Sequence, residues 1–301
     1  MTRRPAVTLM EVLIAMFIMA IGMLALLALF PVGAVSMAQA LKDDRCAYAS
    51  LMAESVAIAN NVRDGDLNVT QILNNAGLAP QGLAYVDPYG VSQSLPAIGF
   101  GVFPVPIQRI SPLFVGSLNP YLPGSLPLID RWFSLPDDIT YTLSGTPDTS
   151  NTGGVIDRGR RYSFAYLLRQ YPPATGPIAI QPLRSVQLYA VVYAGRPVNS
   201  LATTPTEWPY TATLWPPPPS GPPYTGLMVP ASPTTAKRGG WILDTTLGNF
   251  YRVTNIVDSG GGTTLLETQQ NLQVAATQTT MNIVIMDYVA EVFDKGYGWQ
   301  Q

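Results

Sequence analysis

"VTLMEVLIAMFIMAIGMLALLALFPVGAVSMAQAL", Val7 to Leu41, decides how this chain is built. From Val12 to Leu41 no residue is charged, and about 20 consecutive apolar residues are enough to cross a hydrocarbon core about 30 Å thick. As a helix rising ~1.5 Å per residue, the uncharged stretch is about 45 Å long. That exceeds what a bilayer needs, so the surplus implies a second use. The stretch is also too long for the h-region of a cleavable secretory signal, about 7 to 15 residues. Arg3 and Arg4 precede it, and positive charge on that side predicts a cytoplasmic N-terminus with everything beyond Leu41 outside.

The apolar pattern does not stop at Leu41. Met37, Leu41, Tyr48 and Met52, then Ile58 and Val62, recur at four- and seven-residue separations, with Lys42, Asp43, Asp44, Arg45 and Glu54 between them. One helix is predicted from about Val7 to Val62, apolar all round in its first half and amphipathic in its second. Asn60, Asn61 and Gly65 supply the stop. Pro31 removes a backbone donor and predicts a kink or a loosened turn. Gly22 and Gly33 weaken the helix further. Glu11 is the anomaly. A carboxylate within a membrane helix costs on the order of 2.5 to 3.5 kcal/mol at the bilayer centre and less near an interface. Glu11 is therefore either solvated at headgroup level or matched to a partner.

Ala6-Val7-Thr8-Leu9-Met10-Glu11-Val12 resembles the cleavage and methylation signature of type IV prepilins and pseudopilins. In that family a short basic leader ends in Gly or Ala, and the fifth mature residue is a glutamate. Counted from Val7, Glu11 is the fifth. The resemblance implies a leader at 1–6, a helix at 7–62 with 7–35 serving as membrane span and later filament core, and an exported head at 63–301. A membrane-embedded prepilin peptidase and methyltransferase would cut between Ala6 and Val7 and methylate the new amine of Val7. Other implied partners are membrane lipid before assembly and other pilin or pseudopilin subunits afterwards. Glu11 would serve filament assembly, Arg3 and Arg4 topology, and Pro31 the bend seen in pilin helices.

The stretch Glu11–Glu54 looks most like minor pilins and minor pseudopilins of the type IV pilus modification (PilV-like) or general secretion I type. The implied function is a structural subunit, not an enzyme, of a type IV pilus or a type II secretion filament. It would begin as a single-pass protein of the cytoplasmic membrane and end in a periplasmic or cell-surface filament. Many major pilins close a C-terminal loop with a disulfide, which a chain with Cys46 as its one cysteine cannot form within itself. The alternative reading is a membrane-anchored exported binding or adhesion protein that never polymerises.

Composition narrows the rest. There is no histidine, which excludes imidazole-based triads and His-ligated zinc sites. The formal charge is −2, which carries no nucleic-acid footprint. Charged residues make up 12% of the chain, against about 25% in ordinary soluble domains, so a head rich in loops and weakly charged is expected.

In that head, 26 of the 28 prolines lie between Pro80 and Pro233. Proline is excluded from helix interiors and central strands, so Pro80–Pro136 is predicted to hold only short edge strands and turns. "TLWPPPPSGPPY", Thr213 to Tyr224, reads as a polyproline II loop. "DLNVTQILNNAGL", after Gly65, carries a weak helical signal. "RYSFAYLLR" (161–169) and "SVQLYAVVYAG" (185–195) read as strands, as do "GWILD", "NFYRVTNIVD" and "TTLLETQQ". Met281–Phe293 is predicted as the longest strand of an antiparallel sheet made by the last 65 residues, with a helix over the same run as the alternative. A long N-terminal α-helix packed on a predominantly antiparallel β head with Pro-rich loops gives an α+β fold.

No catalytic, cofactor or metal residue is assigned. Asp64, Asp66 and Asn68 have the alternate spacing of a calcium loop, but Val69 stands where its glycine belongs and Asn75 where its bidentate glutamate belongs. Asp137-Asp138 after a proline reads as a surface turn rather than a catalytic pair. Arg158, Arg160 and Arg161 form the one basic cluster, too small beside Asp157 to predict DNA binding. Cys46, without a histidine to activate it, reads as a small buried hydrophobe.

Overall fold

The computed structural model describes residues 9–63, 65–75, 79, 81–93, 97–98, 107–115, 125–149, 156–171, 185–197, 206–216, 223–230, 236–274 and 278–297. The chain forms two compact units, Met1–Ala47 and Tyr48–Gln301. Helix α1 spans Leu9–Ala59 as one element of 51 residues, continuous through Pro31. It stops where the asparagines predict. Asn61 takes a left-handed φ of 47°, its N–H reaches the Ile58 carbonyl, and the Val62 N–H reaches that of Ala57. This paired closure satisfies two carbonyls that would otherwise be orphaned.

Within the second unit the last turns of α1 bury Ala49, Ala53, Val56 and Ala57. These positions recur at helical spacing and form one face. Their small side chains let the backbone come close to the sheet, so that Tyr166 donates its hydroxyl to the Ala53 carbonyl at 2.7 Å. Helix α2 (Leu67–Leu73) follows, then β1 (Leu83–Val86), α3 (Pro88–Ser92), β2 (Ala97–Ile98) and β3 (Ile107–Ile110). After a 3-10 turn at Leu113–Val115 come α4 (Ser125–Phe133), β4 (Tyr162–Tyr171) and β5 (Ser185–Ala194). The remaining strands are β6 (Glu207–Trp215), β7 (Gly226–Pro230), β8 (Trp241–Asp244), β9 (Phe250–Gly260), β10 (Thr263–Thr268), β11 (Thr280–Met286) and β12 (Val289–Tyr297).

They make two sheets. One has six strands in the order β12-β5-β4-β1-β3-β2, antiparallel except for the β1–β3 pair. The other is a closed antiparallel barrel, β10-β7-β6-β11-β8-β9. The strand period of two explains the layering. Phe164, Tyr166 and Leu168 of β4 pack with Ala53, Val56 and Phe133 on the helical side. Ala165 and Leu167, between them in sequence, pack with Leu243, Phe250 and Val284 of the barrel. The open sheet is thus buried on both faces, and β4 and β5 read as nearly unbroken apolar runs. The barrel keeps its own interior of Leu214, Leu227, Ile242, Leu266 and Ile283.

Every barrel strand lies between β5 and β12 in sequence. The chain leaves the open sheet at Ala194 and re-enters it at Val289, which pairs with Tyr193.

Three expectations are corrected. Met281–Phe293 is two strands, and the last 65 residues are shared between the barrel and the open sheet. Tyr288, at φ 64°, turns the chain from one to the other. A single left-handed residue does not show in an apolar pattern. Among the described residues the longest strand is β9 instead. Second, the proline-rich stretch holds a fully buried interior strand, β1, and a nine-residue helix, α4. Pro127 is the third residue of α4, where the missing N–H would have had no intrahelical partner. Third, β6 contains Pro209, which pairs with Val284 of β11 but lies outside the Thr213–Trp215 stretch that pairs with β7. Half of the predicted polyproline loop, residues 217–222, lies outside the described residues, while its first three, Thr213–Trp215, end β6.

Candidate functional site

Ala6, Val7, Arg3 and Arg4 lie outside the described residues. Glu11 is the third described residue of α1. Every residue from Leu9 to Leu41 is exposed, including Leu9, Leu27 and Phe30 at 75% or more. This apolar surface far exceeds the few hundred Å² that a soluble monomer tolerates in one patch, so it requires lipid or other protein around it. It is also the one described helix long and apolar enough to cross a membrane. Pro31 sits mid-helix, leaving the Leu27 carbonyl without its usual N–H donor. Five residues on, Ser36 donates its hydroxyl to the Val32 carbonyl at 2.9 Å.

Several of the other sequence candidates take part in the fold's own hydrogen bonds. Asp64 is outside the described residues. Asp66 is the N-cap of α2, with Oδ1 accepting from the backbone N–H groups of Asn68 and Val69 and Oδ2 from that of Leu113. Oδ1 thus caps the helix and Oδ2 ties it to the 3-10 turn, while the Asn68 amide donates to the Ser111 carbonyl. Asp138 accepts the backbone N–H of Arg161 and lies in a turn with Asp137.

Arg158 and Arg160 turn inward. Arg158 donates to the carbonyls of Asp130 and Ser134 at 3.0 and 3.2 Å. Arg160 forks onto the two oxygens of Asp130 at 2.8 and 2.9 Å, and Tyr89 donates its hydroxyl to the same carboxylate. Only Arg161 of the three is well exposed, so no basic surface patch results. Cys46 is buried.

The largest charged cluster was not legible in sequence. Asp87, wholly buried, accepts two hydrogen bonds from Arg196, both 2.8 Å, and one from Arg109, which also pairs with Glu207. The Arg196 guanidinium lies 4.4 Å from the centre of the Tyr193 ring, and the Tyr193 and Tyr85 hydroxyls are 2.6 Å apart. Burial alone would raise the Asp87 pKa, but Arg196 and then Arg109 hold it at about 2. The cluster joins the end of β1, β3, the end of β5 and the start of β6, with every charge committed to another. Its members are spread from Asp87 to Glu207 and share no spacing that a sequence could advertise.

Asp244, the last residue of β8, is the reverse case. Burial pushes its carboxyl up to about 6, although the Thr246 N–H donates to it at 2.8 Å. Among the described residues no group of three or more acids and cysteines has metal-binding geometry.

Residues 1–27 match the family model for the prokaryotic N-terminal methylation motif. No curated protein and no solved structure matches the chain. The amino-terminal segment thus carries the motif at which type IV prepilins and pseudopilins are cut and methylated by a prepilin peptidase.

Proposed function

We propose that this chain is a minor pilin or pseudopilin, cleaved after Ala6, methylated at Val7 and assembled into a type IV pilus or a type II secretion filament. The observation that carries this reading is the methylation motif at the head of a helix whose surface is apolar and exposed from Leu9 to Leu41.

The steps follow from charge and solvation. Arg3 and Arg4 hold the leader in the cytoplasm while α1 spans the membrane and the head lies outside. Cleavage creates a positively charged amine at Val7, which methylation preserves as a cation. In a filament core built from such helices, an isolated Glu11 carboxylate would be strongly disfavoured. The Val7 amine of a neighbouring subunit provides the countercharge, and only the correct axial stagger brings the two together. Glu11 is then a register device, like single buried polar groups in coiled coils. Pro31 marks the turn at which the helix loosens on passing from bilayer to filament. The protein is the substrate of an enzyme rather than an enzyme.

Mass spectrometry of protein extracted from its native host tests this directly. The expected N-terminus is methylated Val7, and a mature protein that keeps Met1–Ala6 overturns the reading in favour of a simple membrane anchor.

A further inference from the structure

A cleft of about 400 Å³ opens where the open sheet meets the barrel, within the size range of small-molecule sites, about 300 to 1,000 Å³. Four rings line it: Tyr189 from β5, Trp241 from β8, and Phe250 and Tyr251 from β9. Tyr189 and Phe250 meet edge to face, centroids 5.8 Å apart, and Tyr189 and Trp241 are only half-buried. The amides of Gln270, Asn271 and Gln273, all exposed, come from the segment after β10. Asp294 of β12 adds a carboxylate.

The polar groups are partly preset. Asn249 accepts from Arg169 at 3.0 Å and donates to the Gln273 Oε1 at 3.1 Å, which leaves the Gln273 NH2 as a donor. The Gln270 and Asn271 side chains make no hydrogen bond among the described residues, so each offers a donor and an acceptor. Asp294 accepts from Gln187 and from the Gly296 N–H and retains lone pairs for further donors. No lysine or arginine lines the cleft.

We infer that this cleft binds a neutral saccharide. A sugar ring presents flat C–H faces that pack on aromatic rings and a perimeter of hydroxyls that both donate and accept. Aromatic walls with a rim of amides and one carboxylate match that pattern. Phosphate, sulfate and carboxylate ligands call for cations or a helix N-terminus, and neither lines this cleft. A purely apolar ligand would cover the Gln270 and Asn271 amides without offering them a hydrogen bond. The assignment does not rest on filament assembly and would hold for an anchored monomer.

The test uses the full-length protein in a zwitterionic detergent that has no sugar headgroup. Maltohexaose, cellohexaose and chitohexaose are titrated with tryptophan fluorescence and calorimetry as readouts, and heparin oligosaccharide serves as the anionic comparison. At least one neutral hexasaccharide is expected to bind. The double variant Gln270→Ala/Asn271→Ala should weaken it about tenfold. Its melting temperature should not change, since neither side chain is bonded in the fold. Tyr189→Ala should weaken it by a similar factor. No binding of any neutral hexasaccharide at millimolar concentration, binding of heparin alone, or binding unaltered in the folded double variant would each overturn the assignment.

Discussion

Asp87 and Arg196 form a fully buried bidentate pair, both hydrogen bonds 2.8 Å, that ties the strand end of β1 to the chain leaving β5. Removing Arg196 leaves the Asp87 and Glu207 carboxylates to share the single guanidinium of Arg109 in a dry interior, and an uncompensated buried charge costs about 3 to 5 kcal/mol. Arg196→Ala should therefore lower the unfolding free energy of the detergent-solubilised protein by that order, read by chemical denaturation. A loss below about 1 kcal/mol would mean that water reaches the pair.

The same carboxylate sets an acid limit. Its folded pKa of about 2 lies below the ordinary 3.8, so the stability it contributes is complete above pH ~4 and is lost as the pH falls towards 2. The amount is about 2 kcal/mol. Asp87→Asn should remove this part of the acid transition in a series of melts from pH 5 to pH 2.

Asp244 acts with the opposite sign. Its folded value near 6 exceeds 3.8, so the folded protein holds this proton more tightly than the unfolded chain does. Stability should fall as the pH rises from about 4 to about 6, by up to about 3 kcal/mol. Asp244→Asn should flatten that slope and raise the melting temperature at pH 7 to 8. An unchanged slope would show that Asp244 does not titrate there.

Tyr288 holds a left-handed φ, a conformation that costs a residue with a Cβ roughly 1 to 2 kcal/mol. Its side chain is 44% exposed, so little packing is at stake. Tyr288→Gly should be neutral or stabilising by up to about 1 kcal/mol. Tyr288→Val should destabilise, because a β-branched residue tolerates that backbone least. Thermal melts of the two variants should rank Gly above Val.

For the helix, Glu11→Leu should leave membrane insertion intact, since an apolar residue enters the bilayer more readily than a carboxylate. Filament incorporation, measured by shearing surface filaments and quantifying the subunit in them, should drop about tenfold or more. Normal incorporation would remove the register role of Glu11.

Much of this fold was readable because local patterns coincide with the forces that dominate. The apolar run, the asparagine stop after Ala59, the Asp66-headed α2 and the strands β4, β5, β8, β9 and β10 all follow from periodicity and turn chemistry. The prolines misled. Pro88 and Pro127 sit in the first turns of helices, where their missing donors cost nothing. β1, between proline-rich neighbours, owes its interior place to partners more than 20 and 80 residues away. The Asp87 cluster and the aromatic cleft are products of tertiary assembly alone. The methylation segment was readable for a different reason: an enzyme must recognise it as a linear stretch, so its chemistry is written in consecutive residues.

The route of the chain from Ala194 out to the barrel and back to Val289 gives the head the layout of a hairpin with a large cassette spliced into its bend. Because exit and return lie side by side, the cassette can be lengthened, exchanged or lost in descent without redrawing the order of strands beneath it. Its underside has become the lid over Leu83, Leu167 and Val191, however, so any successor must arrive with a greasy sole of matching shape. Diversity among related chains should then collect on the rim facing away from that sole, where new recognition surfaces can arise while the stem that carries them stays the same.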